Sequence, residues 1–456
     1  MVKCKINGGF VYVTNYSQKF RELIQNISER AELAIPSKRL VGIGVFLFGS
    51  PSRQEMVDES DADIMIIRET DNEDYLIFRN EFIKLLEKEN FEKIDVPDWG
   101  NYEDCEIYLK ESITEGNQVV ESKFIYGDIK TAYYIESLKD KYCTTERFEK
   151  VFCFQKLYFD QYYTQRNKPG IKNVKYGHGG TRDFMFLTWF TNILDASENR
   201  KINIEDNFPL AYKSLSSIYE RKLINFADYK KYSESLSIVL ILRNEILIQN
   251  KFTSEAGLTY LDEKTINLLF KRRLFKEEYL IDAVSLRIYL EKHIQNIAEL
   301  KQIIWNLFIA HLYSSKGSEW TNKFNNFLAG NINQLDVDSV EGSDELLQMA
   351  IIWNISKKRD SSLFEHVFEE YSKSNSWVIL ASLCCHMDCP DKILNRVLEK
   401  GFRKGYEYLL RIISRNKNVS KETLKRIIDN PNLEYRYKIV ARTAYEMGVE
   451  KANELR

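Results

Sequence analysis

Residues 17–34 place Phe20, Leu23, Ile24, Ile27, Ala31 and Leu33 at helical spacing, which predicts an amphipathic helix. The residues just before them, GGFVYVTN, are rich in β-branched and aromatic side chains and predict a short opening strand. Residues 40–48, LVGIGVFLF, form an unbroken apolar run, the pattern of a strand buried on both faces. A polar segment follows, then a second apolar strand, DADIMIIRE, then a helix around residues 73–89. Strand, turn, helix and strand in this order describe a small α/β unit ending near residue 130.

From about 131 to 335 helical patterns dominate, as in FEKVFCFQKLYFDQYY, TRDFMFLTWFTNIL, YSESLSIVLILRNEILI and NIAELKQIIWNLFIAHLY. The polar segment NINQLDVDSVEGSDE (331–345) marks a boundary. Beyond it a period of 30 residues emerges from lines beginning at Ser361, Asp391 and Lys421. Phe364, Leu394 and Leu424 share one repeat position; Val367, Val397 and Ile427 share a second; Ile379, Leu409 and Ile439 share a third. Two helices per unit, stacked as a short solenoid, would present a surface to another macromolecule. The expected fold class is α+β: a small α/β domain with a mixed sheet (1–130), a helical bundle (131–335) and a helical repeat region (336–456).

Composition narrows this picture. A hydrophobic fraction of 44% and a charged fraction of 29% are those of a folded globular chain. The formal net charge of −2 argues against a grip on nucleic acid by bulk electrostatics. Locally, residues 391–430 hold eleven Lys or Arg against five Asp or Glu; this is either a solvated solenoid face or a dock for an acidic protein or RNA. Seven cysteines at irregular spacing do not suggest a disulfide framework. No basic and apolar leader opens the chain, and no apolar run is long enough to span a bilayer, so a soluble, cytoplasmic protein with no membrane partner is expected.

Candidate chemistry concentrates in residues 46–67, FLFGSPSRQEMVDESDADIMII. Asp61 and Asp63 lie two apart on a strand, so both carboxylates share a face while Ile64 and Ile66 alternate with them. Adjacent carboxylates repel, and magnesium, which takes hard oxygen ligands and completes its shell with phosphates, would offset them. Two such ions can stabilise the attacking and leaving oxygens of an in-line displacement. Gly49 and Ser50 follow the buried strand directly: the glycine allows close approach to a phosphate, and the hydroxyl and following amides donate to it. Ser50 before Pro51 reads as an N-cap, and Ser52 with Glu55 as a capping box, so a helix is expected to aim its positive end at a triphosphate. Ser60 would fix the loop before the first aspartate.

These elements resemble the polymerase-beta-like nucleotidyltransferase superfamily, whose pattern is Gly-Ser, about ten residues, then Asp-x-Asp. FGSPSRQEMVDESDAD is similar to the variant found in the branch of the PII uridylyltransferase and the glutamine-synthetase adenylyltransferase. ESKFIYGD (121–128) resembles that branch's Glu-Ser-Arg…Gly-Asp element, with Lys123 in place of Arg. NVKYGHGGTRDFMFLTWF (173–190) resembles its Asn-x-Lys-x-Gly-x-Gly-Gly-x-Arg-Asp segment, and LSIVLILRNEILIQN its late bundle helix. The resemblance covers about residues 40–270. It implies magnesium-dependent transfer of AMP or UMP from ATP or UTP to a hydroxyl, often on a protein; the helical repeats, which lie outside the resemblance, are expected to choose the target. Transfer to RNA or a small molecule, and a non-catalytic nucleotide-sensing module, are the alternatives.

Supporting residues carry two readings each. A third carboxylate serving as general base falls on Asp95 in FEKIDV, with Glu106 in CEIYLK behind it, or Asp95 is an ordinary strand-end residue. Lys175 and Arg182 flank Gly177, Gly179 and Gly180 and either form a cationic wall over the triphosphate or belong to a structural loop. Arg53 reaches phosphate or pairs with Glu55. Cys384, Cys385, His386 and Cys389 invite a zinc reading, against which stands the lack of a second ligand pair.

Overall fold

The computed structural model describes residues 8–56, 60–89, 94–97, 100–166, 172–175, 177–200, 209–250, 260–272, 275, 280–340, 344–355 and 360–449; the side chains of 8–12, 95, 161–166, 250 and 436 lie outside that description. In chain order the elements begin α1 (Gly8–Glu32), β1 (Ile43–Leu47), α2 (Gly49–Ser52), β2 (Ala62–Arg68), α3 (Glu73–Leu86), β3 (Ile94–Asp95), α4 (Tyr102–Glu111), α5 (Thr114–Glu121) and β4 (Lys123–Gly127). Then come α6 (Ile129–Tyr142), α7 (Thr145–Arg166), β5 (Lys172–Asn173), α8 (Phe184–Ser197), α9 (Leu210–Glu220), α10 (Phe226–Asn250), β6 (Tyr260–Leu261), α11 (Glu263–Arg272) and α12 (Ala283–Lys316). The chain continues as α13 (Ser318–Leu328), α14 (Gln334–Asp338), α15 (Glu345–Asn354), α16 (Ser361–Tyr371), α17 (Trp377–Cys385), α18 (Asp391–Gly401), α19 (Tyr408–Ser414), α20 (Lys421–Asp429) and α21 (Tyr435–Met447).

Among the described residues the fold is mostly helical with a small four-stranded sheet and a two-stranded ribbon of β5 and β6, an α+β composition. Two compact units form, one from Met1–Glu103, Gln118–Phe148 and Asp160–Phe308, the other from Asp104–Asn117, Glu149–Phe159 and Ile309–Arg456. This division is two-way and discontinuous, unlike the three consecutive segments expected from patterning. Among the described residues no helix is long and apolar enough to cross a membrane.

In the first unit the sheet has the order β3-β2-β1-β4. The central strand β1 pairs antiparallel with β2, from Ile43 opposite Arg68 to Leu47 opposite Ile64, and antiparallel with β4. β3 adds to β2 in parallel, with Ala62 beside Ile94 and Asp63 beside Asp95. Val45 and Leu47 of β1 and Ala62, Ile64 and Ile66 of β2 pack into one core with Phe20, Ile24, Ile27 and Ala31 of α1 and Tyr75, Phe78 and Phe82 of α3. Since side chains alternate along a strand, burying Ala62, Ile64 and Ile66 against the helices turns Asp61 and Asp63 to the other face.

Two local expectations fail. GGFVYVTN is the first part of α1, not a strand. Val13, Phe20, Ile24, Ile27 and Ala31 are all buried at helical spacing, and packing of that face overrides local β propensity. The Ser17 hydroxyl, buried on the same stripe, donates to the Val13 carbonyl at 2.7 Å and accepts the Met56 amide at 3.2 Å. CEIYLK lies in helix α4, where Glu106 pairs with Lys110 one turn on at 3.2 Å.

In the second unit the 30-residue period is borne out: α16, α18 and α20 begin at Ser361, Asp391 and Lys421. Phe364, Leu394 and Leu424 are buried, as are Val367, Val397 and Ile427. The third position departs in the last repeat, where Ile439 is 37% exposed and Tyr437, Val440 and Ala441 supply the buried face of α21. Contacts between neighbouring repeats recur at the same interval. Arg396 pairs with Glu369, and Arg426 with Glu399. The Tyr408 hydroxyl donates to the Trp377 carbonyl, and the Asn416 amide to the carbonyls of Cys384 and His386.

Candidate active site

The turn after β1 is built on a left-handed glycine. Phe48 is extended, Gly49 has φ +61°, and residues Gly49–Ser52 then make a single helical turn. Ser50 therefore sits inside the turn and is not its N-cap. Nor does the expected capping box form, because the Ser52 hydroxyl donates back to the Gly49 carbonyl at 2.9 Å. The turn closes at once: the amides of Arg53 and Glu55 donate to the carbonyls of Gly49 and Ser50, and Gln54 turns left-handed at φ +57°. A helix this short has little macrodipole, so any anion held here is held by local amides and hydroxyls.

Asp63 lies directly across this turn. A Cβ built on Gly49 would collide with the Asp63 carboxylate, so a larger residue would have to displace that side chain and also adopt a strained positive φ. The Phe48 amide donates to the Asp63 carbonyl at 3.2 Å, fixing strand and turn together. Asp61 and Asp63 are half-buried while Ala62 and Ile64 between and after them are fully buried, and Ser60 before them is buried. The backbone of Asp95 lies beside Asp63 in parallel register, which brings the expected third acid to the neighbouring strand; its side chain lies outside the described residues. Glu106, the other candidate, is on a helix and not on a strand.

Arg53 is committed elsewhere. Its guanidinium pairs with Glu55 at 3.1 Å and with Glu121 at 2.5 Å, and all three side chains are nearly buried. Burial alone would lower its pKa, but the charges of Glu121 and Glu55 outweigh burial and hold it above the ordinary arginine value. Of the two readings of Arg53, the pairing with Glu55 is present and is joined by Glu121. Glu121 was legible only as the first residue of ESKFIYGD, with nothing in the sequence to link it to Arg53.

The glycine loop is packed from within. Gly179, at φ +80°, lies so close to the Ile294 carbonyl that a Cβ would collide with it. Its amide donates to Asp183 at 2.7 Å, and Asp183 meets Lys301 of α12 at 3.3 Å. Burial raises the Asp183 pKa, with Lys301 acting against it. Lys175 is buried, its amide bonded to the Asn173 side chain and its carbonyl to the Arg182 amide. Arg182 reaches the Met185 sulfur at 3.3 Å. Lys301 was missed by sequence reasoning, although a signal existed: it occupies the stripe position between Ile297 and Phe308 where an apolar residue belongs.

Other candidate groups resolve as structure. Cys384 and Cys389 are fully buried, and burial pushes their thiols, and that of Cys385, above the ordinary cysteine range. His386 packs against Phe364 and Phe368, and its Nδ1 accepts the Asp388 amide. No group of three or more His, Cys, Asp or Glu able to hold a metal occurs among the described residues. In the basic stretch, Lys392 and Arg396 pair with Glu369, Arg426 with Glu399, Lys404 with Asp104 and Lys417 with Asp388. Much of its charge is thus neutralised within the unit. No protein-family model matches the chain, and no curated protein sequence matches it.

Proposed function

We propose that this protein is a magnesium-dependent nucleotidyltransferase that moves AMP or UMP from a nucleoside triphosphate to a hydroxyl, with a protein as acceptor. One observation carries the reading: the Asp63 carboxylate and the Gly49–Ser50 turn occupy one place, so close that a Cβ on the glycine would displace the carboxylate. A structural turn has no need of a carboxylate pressed against it, whereas a phosphate-holding turn and its metal ligands must be adjacent.

The residues fit the ion. Asp61 and Asp63 are half-buried oxygen donors on one strand face, and magnesium is commonly held by one or two carboxylates with substrate phosphates filling its shell. When bound, it would neutralise charge on the phosphate oxygens during displacement. The chain's own part is to hold the phosphates at the amides and hydroxyl of Gly49 and Ser50. Asp95, beside Asp63 in register, is the residue to take the proton from the attacking hydroxyl. The 30-residue repeats would select the acceptor. Internal pairing of the basic stretch favours protein over RNA there.

The test is incubation of purified protein with magnesium and each of four labelled triphosphates, with and without cell lysate. Pyrophosphate release and label on a protein band are expected, both lost in Asp61→Asn and Asp63→Asn. Release that persists in both variants overturns the reading.

A further inference from the structure

Arg53 and Glu55 close the Gly49–Ser52 turn twice over. Their amides donate to the carbonyls of Gly49 and Ser50 at 3.1 and 3.0 Å, and their side chains pair with each other at 3.1 Å. A single helical turn gains little from its own hydrogen bonds, because the first bond must fix several residues at once. Its shape therefore depends on groups supplied by other elements.

β1 lies between β2 and β4, so the turn that follows it has a neighbour on each side. From the β2 side comes the Asp63 carboxylate, against Gly49. From the β4 side comes Glu121. Leu47 lies opposite Lys123 in antiparallel register, so two residues on from Leu47 and two back from Lys123 the chain brings Gly49 and Glu121 to the same end of the sheet. There the Glu121 carboxylate takes the Arg53 guanidinium at 2.5 Å. Glu121 is itself held in place through the next residue. The Ser122 hydroxyl donates to the Val119 carbonyl at 2.7 Å, and the Ser122 carbonyl accepts the Lys139 ammonium of α6 at 2.7 Å. Two nearly buried carboxylates thus face one guanidinium. Glu55 alone would balance Arg53, and on charge alone Glu121 works against a phosphate at the turn. Its favourable contribution is to fix where Arg53 sits.

We infer that Glu121 is a positioning residue: by holding Arg53 from the β4 side, it sets the amides and hydroxyl of Gly49 and Ser50 in the geometry that receives a triphosphate. This rests on the reading of that turn as the phosphate holder. The turn grips the phosphates alike before and during displacement. Loss of the positioning therefore weakens binding and leaves turnover of the bound state nearly unchanged.

The experiment is equilibrium dialysis of the full chain with magnesium and each of four labelled triphosphates, alongside pyrophosphate release at saturating triphosphate. Glu121→Ala should raise the Kd roughly tenfold, as loss of one charge-assisted hydrogen bond requires, with saturated release within about twofold of the unaltered protein. A residue that served stability alone would change the number of folded binding sites and leave the Kd as it was. Glu121→Asp, which keeps the charge and shortens the reach, should also weaken binding, and carries the test should Glu121→Ala not fold. A Kd unchanged or tightened in the Glu121 variants overturns the inference. Binding by the unaltered protein without pyrophosphate release overturns the proposed catalysis, and the Kd comparison still decides the role of Glu121. Binding of none of the four triphosphates overturns both.

Discussion

The glycine–serine turn and the repeat helices satisfy their polar groups in opposite ways. Along α16–α21 the interactions are periodic and complementary: Glu369 meets Arg396 and Glu399 meets Arg426, while Asp391 accepts from the Ser420 amide and the Thr423 hydroxyl. Around β1 and β2, two acids stand on one face, one of them against a left-handed glycine. A repeat needs only to stack on its neighbour, so each unit can be optimised for stability. A site of the proposed kind would keep like charges together beside a turn whose positive φ only glycine adopts freely.

The largest expected effect comes from the acids and their glycine. Asp63→Asn should lower pyrophosphate release by roughly 10³-fold, as loss of several kcal/mol of charge stabilisation requires. Gly49→Ala should do the same, since it meets both the positive φ and the Asp63 carboxylate. A Gly49→Ala protein with full activity would break the contrast between the two regions.

Next is Arg53→Ala, which leaves Glu55 and Glu121 buried without their cation. About 3–5 kcal/mol of stability should be lost in denaturant unfolding. In the repeats, Leu409→Ala removes a fully buried side chain and should cost about 2–5 kcal/mol, with pyrophosphate release per folded molecule unchanged.

A smaller effect depends on pH. Burial lowers the His293 pKa to about 4. The folded state thus refuses a proton that the unfolded chain takes near its ordinary value of ~6.5. Stability from this residue is complete above that value and falls as pH drops toward about 4, by at most roughly 3 kcal/mol. The His293 Nδ1 lies 2.9 Å from the Ser235 hydroxyl, which also lies within hydrogen-bond reach of the Lys231 carbonyl and accepts the Asn296 amide. His293→Gln should flatten the unfolding profile in that window. Smallest of all is Glu399→Gln, which removes one exposed rung of the ladder. It should shift stability by no more than about 0.5 kcal/mol, and less in high salt.

Much of this was legible in the chain because it rests on local periodicity. An unbroken apolar run gave β1, alternation put Asp61 and Asp63 on one face, and a 30-residue period gave the starts of α16, α18 and α20. Where context decides, patterning failed. β-branched residues before Ser17 fold as helix because one face of α1 is buried. CEIYLK is also helix, and Ile439 leaves its repeat position because α21 buries Tyr437, Val440 and Ala441 instead.

The sequence by itself determined that a glycine–serine turn follows a buried strand and that two acids open the next one, because both facts depend only on neighbours in the chain. Tertiary structure alone decided that the Asp63 carboxylate rests on Gly49, that Arg53 belongs to Glu55 and Glu121, and that Lys301 reaches Asp183. These partners come from distant segments brought together by packing, and side-chain spacing carries no record of which charge will meet which.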